Sequence, residues 1–348
     1  MTAEQSNTIS IGKAVCIILM LIGHAGPNEY VFNFIYLFHM PFFFFVSGYC
    51  FKEKYLDEKK TFVWHRIKGL WWPFVKYNLI FMCFHNFLAY HQFYDNTYNW
   101  PDIINRTGQY LLLGKTEQNL GQLWFIRYLL LASLLFLFIH FTTTKLFKSH
   151  RETIERSLTL ILPLLGALML AAQQSYFLVI LALYFYMLGY CCRSVVGKQL
   201  SGFKMGIGAI ILIVAACYID HGMVDITLEQ IVPYSIIAPI GIFMVMELSR
   251  RLSSTKLLKP LLYIGRHTMP IFIFHHIIYD IMSFLWLRFN NIQFTTLDNV
   301  TLHQNHHSLL ALTAYVVIGL ALSLLIDRLL GCCQRVITEN IQRIKKNA

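Results

Sequence analysis

Long apolar stretches separated by shorter polar segments recur along nearly the whole chain. A stretch of about 20 apolar residues forms a helix long enough to cross the hydrocarbon core of a bilayer. The pattern therefore predicts about ten spans and an all-α, polytopic transmembrane helical bundle. The predicted spans are residues 8–26, 31–51, 69–91, 121–141, 158–172, 176–192, 204–219, 231–248, 262–288 and 308–330.

The composition supports a membrane protein rather than a soluble domain. The 348 residues are 56% hydrophobic and 14% charged, and the mean hydropathy is +0.53. The sequence contains no low-complexity linker and no convincing internal repeat. We therefore expect one integral-membrane domain over residues 1–348.

Lysine and arginine are distributed unequally between alternate connections. Of the 29 basic residues, 22 lie on one side of the predicted membrane and three on the other. The positive-inside rule makes the richer side cytoplasmic, and it places both termini there. This topology explains the net charge of +11, so we expect contacts with membrane lipids and none with nucleic acid.

Four basic residues remain inside predicted spans: Lys13, Lys76, Arg127 and Arg266. Charged side chains at membrane depth are costly and usually face a bundle interior or a watery cavity. His24 follows Lys13 by eleven residues, which puts both on one helix face, roughly 16 Å apart along the axis. Alone, Lys13 fits a lysine that extends to the headgroups, and His24 fits an interfacial histidine. Together they favour a polar path through the bundle.

Four further segments combine polar and aromatic residues within or beside predicted spans. In the first, Pro41 is expected to bend the helix, and Ser47–Gly48 permits close helix contact. Each segment alone also fits packing or interfacial anchoring. The segments are FHMPFFFFVSGY (38–49), HRIKGLWWPF (65–74), GQLWFIRYLL (121–130) and IGRHTMPIFIFHH (264–276).

In this order, the Lys13–His24 pair and the four segments resemble the membrane-bound acyltransferase-3 family, especially its fucose 4-O-acetylase-like and polysaccharide O-acetyltransferase branch. The resemblance covers most of the chain. It implies transfer of an acyl group, usually acetyl, from cytoplasmic acyl-CoA to a hydroxyl of a glycan or glycolipid. Acetyl-CoA would be a donor substrate, with no permanently bound cofactor. The implied location is the inner (cytoplasmic) membrane of a bacterium.

The resemblance also assigns family motifs to positions of this chain. Gly69 departs from the pattern, because many members have a second arginine there. The matching residues are Lys13 and His24 in the first span, Pro41, Phe43, Ser47 and Gly48 in the second, Arg66 and Lys68 before the third, and Trp124 and His275.

The chemistry of acyl transfer gives these positions expected roles. An alcohol needs a base to become a good nucleophile at neutral pH, and imidazole has a suitable pKa. We therefore predict that His24 is the general base and that Lys13 assists by holding the donor. The phosphates of CoA require cations, which Arg66 and Lys68 supply beside Lys13. Ser47 is assigned to this donor site by the resemblance.

The acceptor is expected to meet residues of the later spans. Trp124, Arg127, His275 and Asp280 are the predicted substrate-binding residues. Asp280 or Glu29 would orient His24, and His275 or Arg127 would stabilise the developing oxyanion.

Two other functions fit the same pattern. A polysaccharide or glycolipid exporter of this family would use the polar path without acyl transfer, although no inverted repeat is visible. An inactive membrane scaffold would need neither Lys13 nor His24. CoA binding distinguishes the enzyme from both.

HQNHH at 303–307 contains no cysteine or acidic residue, so we predict no metal site there. The tail ENIQRIKKNA is expected to be a helix end at the membrane surface.

Overall fold

The computed structural model describes residues 2–173, 176–194, 199–297 and 308–347, and within these ranges the protein is built from α-helices. A π-helical turn, Ile67–Trp71, joins α4 to α5, and the 3₁₀ turn Gly121–Leu123 precedes α7. The helices are α1 Ala3–His24, α2 Glu29–Tyr36, α3 His39–Tyr49, α4 Lys59–Arg66, α5 Trp72–Tyr90, α6 Trp100–Leu111, α7 Trp124–Leu146, α8 Arg151–Ala171, α9 Phe177–Cys191, α10 Gly202–Ala215, α11 Ile231–Leu252, α12 Leu258–Arg266, α13 Thr268–Phe289 and α14 Leu309–Asn347.

The predicted polytopic helical bundle is confirmed. Among the described residues, seven helical stretches are long and apolar enough to cross a membrane. The remaining predicted spans fall on α5 and on the shorter apolar helices α9 and α10. The seven stretches are Ala3–His24, Glu29–Tyr49, Gly121–Leu146, Arg151–Ala171, Ile231–Leu252, Thr268–Phe289 and Leu309–Val336.

Two predicted spans are interrupted. The second is divided between α2 and α3 at Leu37–Phe38, and the ninth is divided between α12 and α13 at His267. Pro41 does not bend a continuous helix, because it lies in the first turn of α3. An N–H at that position would have no intrahelical acceptor, so proline is tolerated there. The break itself places Tyr36 and His39 on either side of a chain turn.

The last helix is much longer than the predicted span 308–330. α14 has 39 residues, which corresponds to roughly 58 Å at about 1.5 Å per residue. The C-terminal tail continues this helix to Asn347 without a break. The helix is therefore longer than a bilayer core is thick, and its last turns extend beyond it.

Glycines allow the helices around α1 and α3 to approach backbone to backbone. A Cβ atom on Gly48 would lie 1.8 Å from the carbonyl oxygen of Tyr186 in α9, and one on Gly189 would lie 1.9 Å from that of Phe45. Gly265 of α12 meets the Ser10 carbonyl of α1 in the same way. The predicted close contact at Ser47–Gly48 is thus confirmed, and α9 is its partner.

Candidate active site

A cavity of about 340 Å³ lies at the C-terminal end of α1, which we call the outer end; the Lys13 end is the inner end. Helix ends and breaks build its wall: the end of α1, the α2–α3 break, the turn before α7, part of α13, and the connection before α11. The polar and aromatic lining residues are His24, Phe32, Tyr36, His39, Gln122, Trp124, Asp225, Phe272 and His276.

Three histidines meet at this cavity. The ring centre of His24 lies 5.1 Å from that of His275 and 4.6 Å from that of His276. The rings of His275 and His276 are themselves 4.3 Å apart. His24 and His276 are half-buried and line the cavity, whereas His275 is fully buried behind them.

Tyr36 is positioned beside His24 by two glycines. Its hydroxyl oxygen lies 3.5 Å from Nε2 of His24. A Cβ atom on Gly23 would lie 2.8 Å from the Tyr36 ring, and one on Gly222 would lie 2.7 Å from it. Phe32 stacks on the same ring with centres 3.8 Å apart. A larger residue at either glycine would therefore displace the tyrosine from the histidine.

The hydrogen bonds of His275 fix its tautomer. Nδ1 lies 3.1 Å from the carbonyl oxygen of Ile271 and 3.0 Å from that of Phe272, and these oxygens can only accept. Nδ1 therefore carries the proton, which leaves the lone pair on Nε2. That nitrogen is buried, and no described residue forms a hydrogen bond with it. Gln122 donates to the carbonyl oxygens of Phe272 and Ile273, and so ties the turn before α7 to this part of α13.

A second cavity of about 60 Å³ lies on the inner side of the first. Met20, Met40 and Phe272 line both cavities. Its other lining residues include Ile17, one turn closer to Lys13 along α1, and Phe43. The stretch of α1 between Lys13 and His24 thus faces an apolar chamber, which interrupts the predicted polar path.

Basic residues gather at the inner end of α1. Lys13, Arg66 and Arg193 are all close enough to the Cys50 thiol to act on it electrostatically, and Lys13 also interacts with Arg266. Arg66 donates to the Tyr186 hydroxyl at 3.1 Å. The structure therefore brings together the predicted Lys13 and Arg66 and adds an arginine that the sequence pattern did not indicate.

Arg193 fastens the chain that follows α3. Its guanidinium donates to the carbonyl oxygens of Tyr49, at 3.0 Å, and of Phe51. The charge of Arg193 therefore lies next to the contact between Ser47–Gly48 and α9. Ser47 itself is half-buried, whereas Lys68 is exposed on the π-helical turn.

Two predicted substrate-binding residues are engaged elsewhere. Arg127 donates to the carbonyl oxygens of Leu113 and Gly114 at 3.2 and 2.7 Å, which holds the loop after α6. Asp280 accepts a hydrogen bond of 2.6 Å from Asn119. Glu29, the other candidate to orient His24, is exposed in the first turn of α2. Trp124, in contrast, lines the cavity with His24.

A buried network holds the outer loop that leads to Trp124. Glu117 accepts hydrogen bonds from His85 at 2.8 Å, Tyr98 at 3.1 Å and Tyr110 at 2.5 Å. Its backbone N–H donates to the side chain of Asn78 at 2.6 Å. Burial, and then the Glu117 carboxylate, raise the pKa of Tyr98 to about 12. The hydroxyl therefore stays protonated and continues to donate.

A similar network holds the inner end. His140 contacts Glu155 through Nδ1 at 2.6 Å and Glu53 through Nε2 at 3.2 Å. Tyr190 donates to Glu53 at 2.6 Å. This cluster anchors the segment between α3 and α4 against α7, α8 and α9. The sequence offered a signal for it, since Glu155 lies next to an apolar run.

Five polar residues of the cavity lining were missing from the predicted site: Tyr36, His39, Gln122, Asp225 and His276. His276 adjoins the predicted His275, and His39 belongs to the Pro41 segment, so both were within reach of sequence reasoning. Asp225 lies in a connection without a motif. The HQNHH segment lies outside the described residues.

Helices of this length and apolarity, enclosing a histidine-lined cavity, define a multi-pass membrane protein with an internal site. Residues 7–328 match the family model described as Acyltransferase domain. The chain therefore belongs to the acyltransferase-3 family and is a membrane acyltransferase. No curated protein and no solved structure matches it.

Proposed function

We propose that this protein is an O-acetyltransferase that moves acetyl from cytoplasmic acetyl-CoA to a hydroxyl of a glycan or glycolipid, in a bacterial cytoplasmic membrane. The main support for this proposal is the position of His24. It lines a cavity large enough for part of a sugar, next to an apolar chamber that points toward a cluster of cations.

His24 acts as the general base. The acceptor hydroxyl gives its proton to the imidazole while its oxygen attacks the thioester carbonyl carbon. The tetrahedral intermediate then collapses, the C–S bond breaks, and the CoA thiolate takes the proton from the imidazolium. Tyr36 stabilises the orientation of the His24 ring through its hydroxyl, 3.5 Å from Nε2.

The cations at the inner end hold the donor. Arg66, Arg193 and Lys13 offer the guanidinium and ammonium groups that phosphates bind strongly. Lys13 and His24 are roughly 16 Å apart along α1, comparable to an extended phosphopantetheine arm. Ser47 and Lys68, the remaining proposed donor residues, belong to the segments on either side of this cluster.

The small chamber supports acetyl as the acyl group. Its volume of about 60 Å³ is small beside the 340 Å³ of the cavity that His24 lines. Met20, Met40 and Phe272 surround a methyl group favourably but leave little room for longer chains.

Trp124 and Asp225 are suited to the acceptor. An indole ring provides an apolar face for the C–H side of a sugar, and a carboxylate accepts hydrogen bonds from its hydroxyls. Both side chains line the cavity with His24. Arg127 and Asp280 contribute through the loops they hold, and His275 lies behind the His24 ring.

The test is acetyl transfer in membrane vesicles that contain the full chain, supplied with labelled acetyl-CoA and a crude glycolipid extract. Wild type is compared with His24→Gln and with His91→Gln, which changes an exposed histidine at the end of α5. Label is expected in the glycolipid with wild type and His91→Gln only, and longer acyl-CoA donors should be poorer. Equal transfer by His24→Gln would refute its role as the base. Absence of both transfer and CoA binding in wild type would favour the exporter.

A further inference from the structure

We propose that His24, His275 and His276 form a binding site for a divalent transition-metal ion of the zinc class. One ligand nitrogen from each residue lies within 4.8 Å of the other two. Tetrahedral zinc with Zn–N distances of about 2.0–2.1 Å places its ligand nitrogens roughly 3.4 Å apart. Side-chain rotations that move the nitrogens by about 1 Å therefore complete the arrangement.

His275 is prepared as a ligand. Its Nδ1–H donates to backbone carbonyl oxygens one turn earlier in α13, at 3.0 and 3.1 Å. Metal-binding histidines usually donate their second N–H in this way, which fixes the tautomer and the ring orientation. The opposite nitrogen, Nε2, is fully buried and has no hydrogen-bond partner among the residues that the structure describes. An unsatisfied buried nitrogen costs free energy, and a metal ion removes that cost.

The imidazoles of His24 and His276 border the route by which the metal ion enters. His24 and His276 are half-buried and line the cavity of about 340 Å³, so an ion enters from the acceptor side. Displacements of about 1 Å bring one nitrogen of each ring to the spacing that zinc requires. Three imidazoles suit zinc, copper or nickel better than calcium or magnesium, which prefer oxygen ligands. The fourth position remains open to water.

A bound metal occupies a lone pair of His24. That lone pair cannot then accept a proton from the acceptor hydroxyl, so metal binding inhibits acyl transfer reversibly. This consequence rests on the proposed role of His24 as the base, whereas metal binding itself does not.

The experiment measures metal binding without relying on activity. The full chain is purified in detergent with an affinity tag that contains no histidine, and Co²⁺ is added as a spectroscopic probe. His303, His306 and His307 are replaced by glutamine in every sample, so that the imidazoles of the HQNHH segment cannot bind the ion. We expect one Co²⁺ per chain with the visible spectrum of tetrahedral nitrogen coordination, displaced by Zn²⁺.

In this background, His276→Gln should weaken Co²⁺ binding at least about tenfold, because losing a ligand costs no less than losing a ligand's supporting hydrogen bond. The matched control His91→Gln should bind as the background does. His275→Gln should also bind weakly, provided that it elutes as a folded protein. Absence of stoichiometric Co²⁺ binding, or binding unaffected by His276→Gln, would overturn the proposal.

Activity then separates the two hypotheses. Zn²⁺ should stop acetyl transfer, and a chelator should restore it. If Co²⁺ and Zn²⁺ bind through the three histidines but transfer continues at full rate, the metal site stands and the base is not His24.

Discussion

His85 and His140 are buried against glutamates, whereas His24 is grouped with a tyrosine and two further histidines. Both ring nitrogens of His85 face oxygen acceptors, Glu117 and the Asn96 carbonyl. Those of His140 face Glu155 and Glu53. Both nitrogens of each of these rings are thus engaged by protein oxygens, whereas the His24 ring lines the cavity. These two histidines are therefore structural.

His24 has a different environment. A hydroxyl can donate to Nε2 of His24 as well as accept from it, and the ring lines a cavity. The two glutamate networks lie at opposite ends of the molecule and hold the loops that carry Trp124 and Arg193. This difference supports the proposed role of His24 as the base, and it assigns His85 and His140 to stiffening the two faces.

The largest expected effect is the difference in acetyl transfer between a His24 variant and a variant of a glutamate-bound histidine. His24→Gln should lower acetyl transfer by about 10²–10⁴-fold, the usual contribution of a general base, with little change in melting temperature. His85→Gln should lower the melting temperature but leave the rate per folded molecule near that of wild type. Transfer rates and thermal unfolding in the same detergent preparation measure both. Equal loss of rate in the two variants would contradict the distinction.

The inner network gives the largest expected effect on stability. Glu155→Leu removes a buried partner of His140 and should cost about 3–5 kcal/mol in the free energy of unfolding. The double variant His140→Phe with Glu155→Leu should recover most of this loss, because an apolar pair needs no hydrogen bonds and Phe136 already stacks on the His140 ring. Denaturant titration in mixed micelles measures both, and a double variant less stable than Glu155→Leu alone would argue against a purely structural network.

The outer network should respond more weakly. Tyr110→Phe removes the hydroxyl that donates to Glu117 at 2.5 Å and should cost about 1.5–3 kcal/mol, as expected for a hydrogen bond to a charged group. Tyr90→Phe is the matched control, since that side chain is 82% exposed. Denaturant titration in the same micelles measures both variants. If both lost the same small amount of stability, the network would not hold the outer loop.

The apolar pattern predicted the helices because bilayer thickness fixes how long a buried helix must be. It did not predict the breaks at Leu37–Phe38 and His267, although Pro41 and Pro270 lie in the first turns of the helices that follow them. A proline bends a continuous helix or occupies the first turn of a new one, so its presence alone does not locate a break. The breaks nevertheless decide the site, because Tyr36 and His39 reach the cavity from either side of the first one.

The site was predictable where it lies on one helix face or follows from topology. Lys13 and His24 were placed by helical spacing, and Trp124 by its position at the outer end of its span. Arg127 and Asp280 were predicted to meet substrate but bind a loop carbonyl and Asn119. Their partners lie on loops, and loop pairing depends on contacts between distant segments that no spacing rule encodes.

The smallest expected effect concerns Glu53, the half-exposed member of the inner network. Its hydrogen bond with His140, supported by Tyr190 and opposed by burial, lowers its pKa from 4.5 to about 2. Because the folded pKa lies below the unfolded one, Glu53 stabilises the protein fully above about pH 4.5, and this contribution disappears as the pH falls toward 2. Solvent screening limits this stabilisation by Glu53 to about 1 kcal/mol or less.

The melting temperature of wild type should therefore exceed that of Glu53→Gln at pH 6 and approach it at pH 3, since the other carboxylates titrate equally in both proteins. A difference that stays constant between these pH values would mean that the Glu53 charge contributes nothing to the network, and that Glu155 alone satisfies His140.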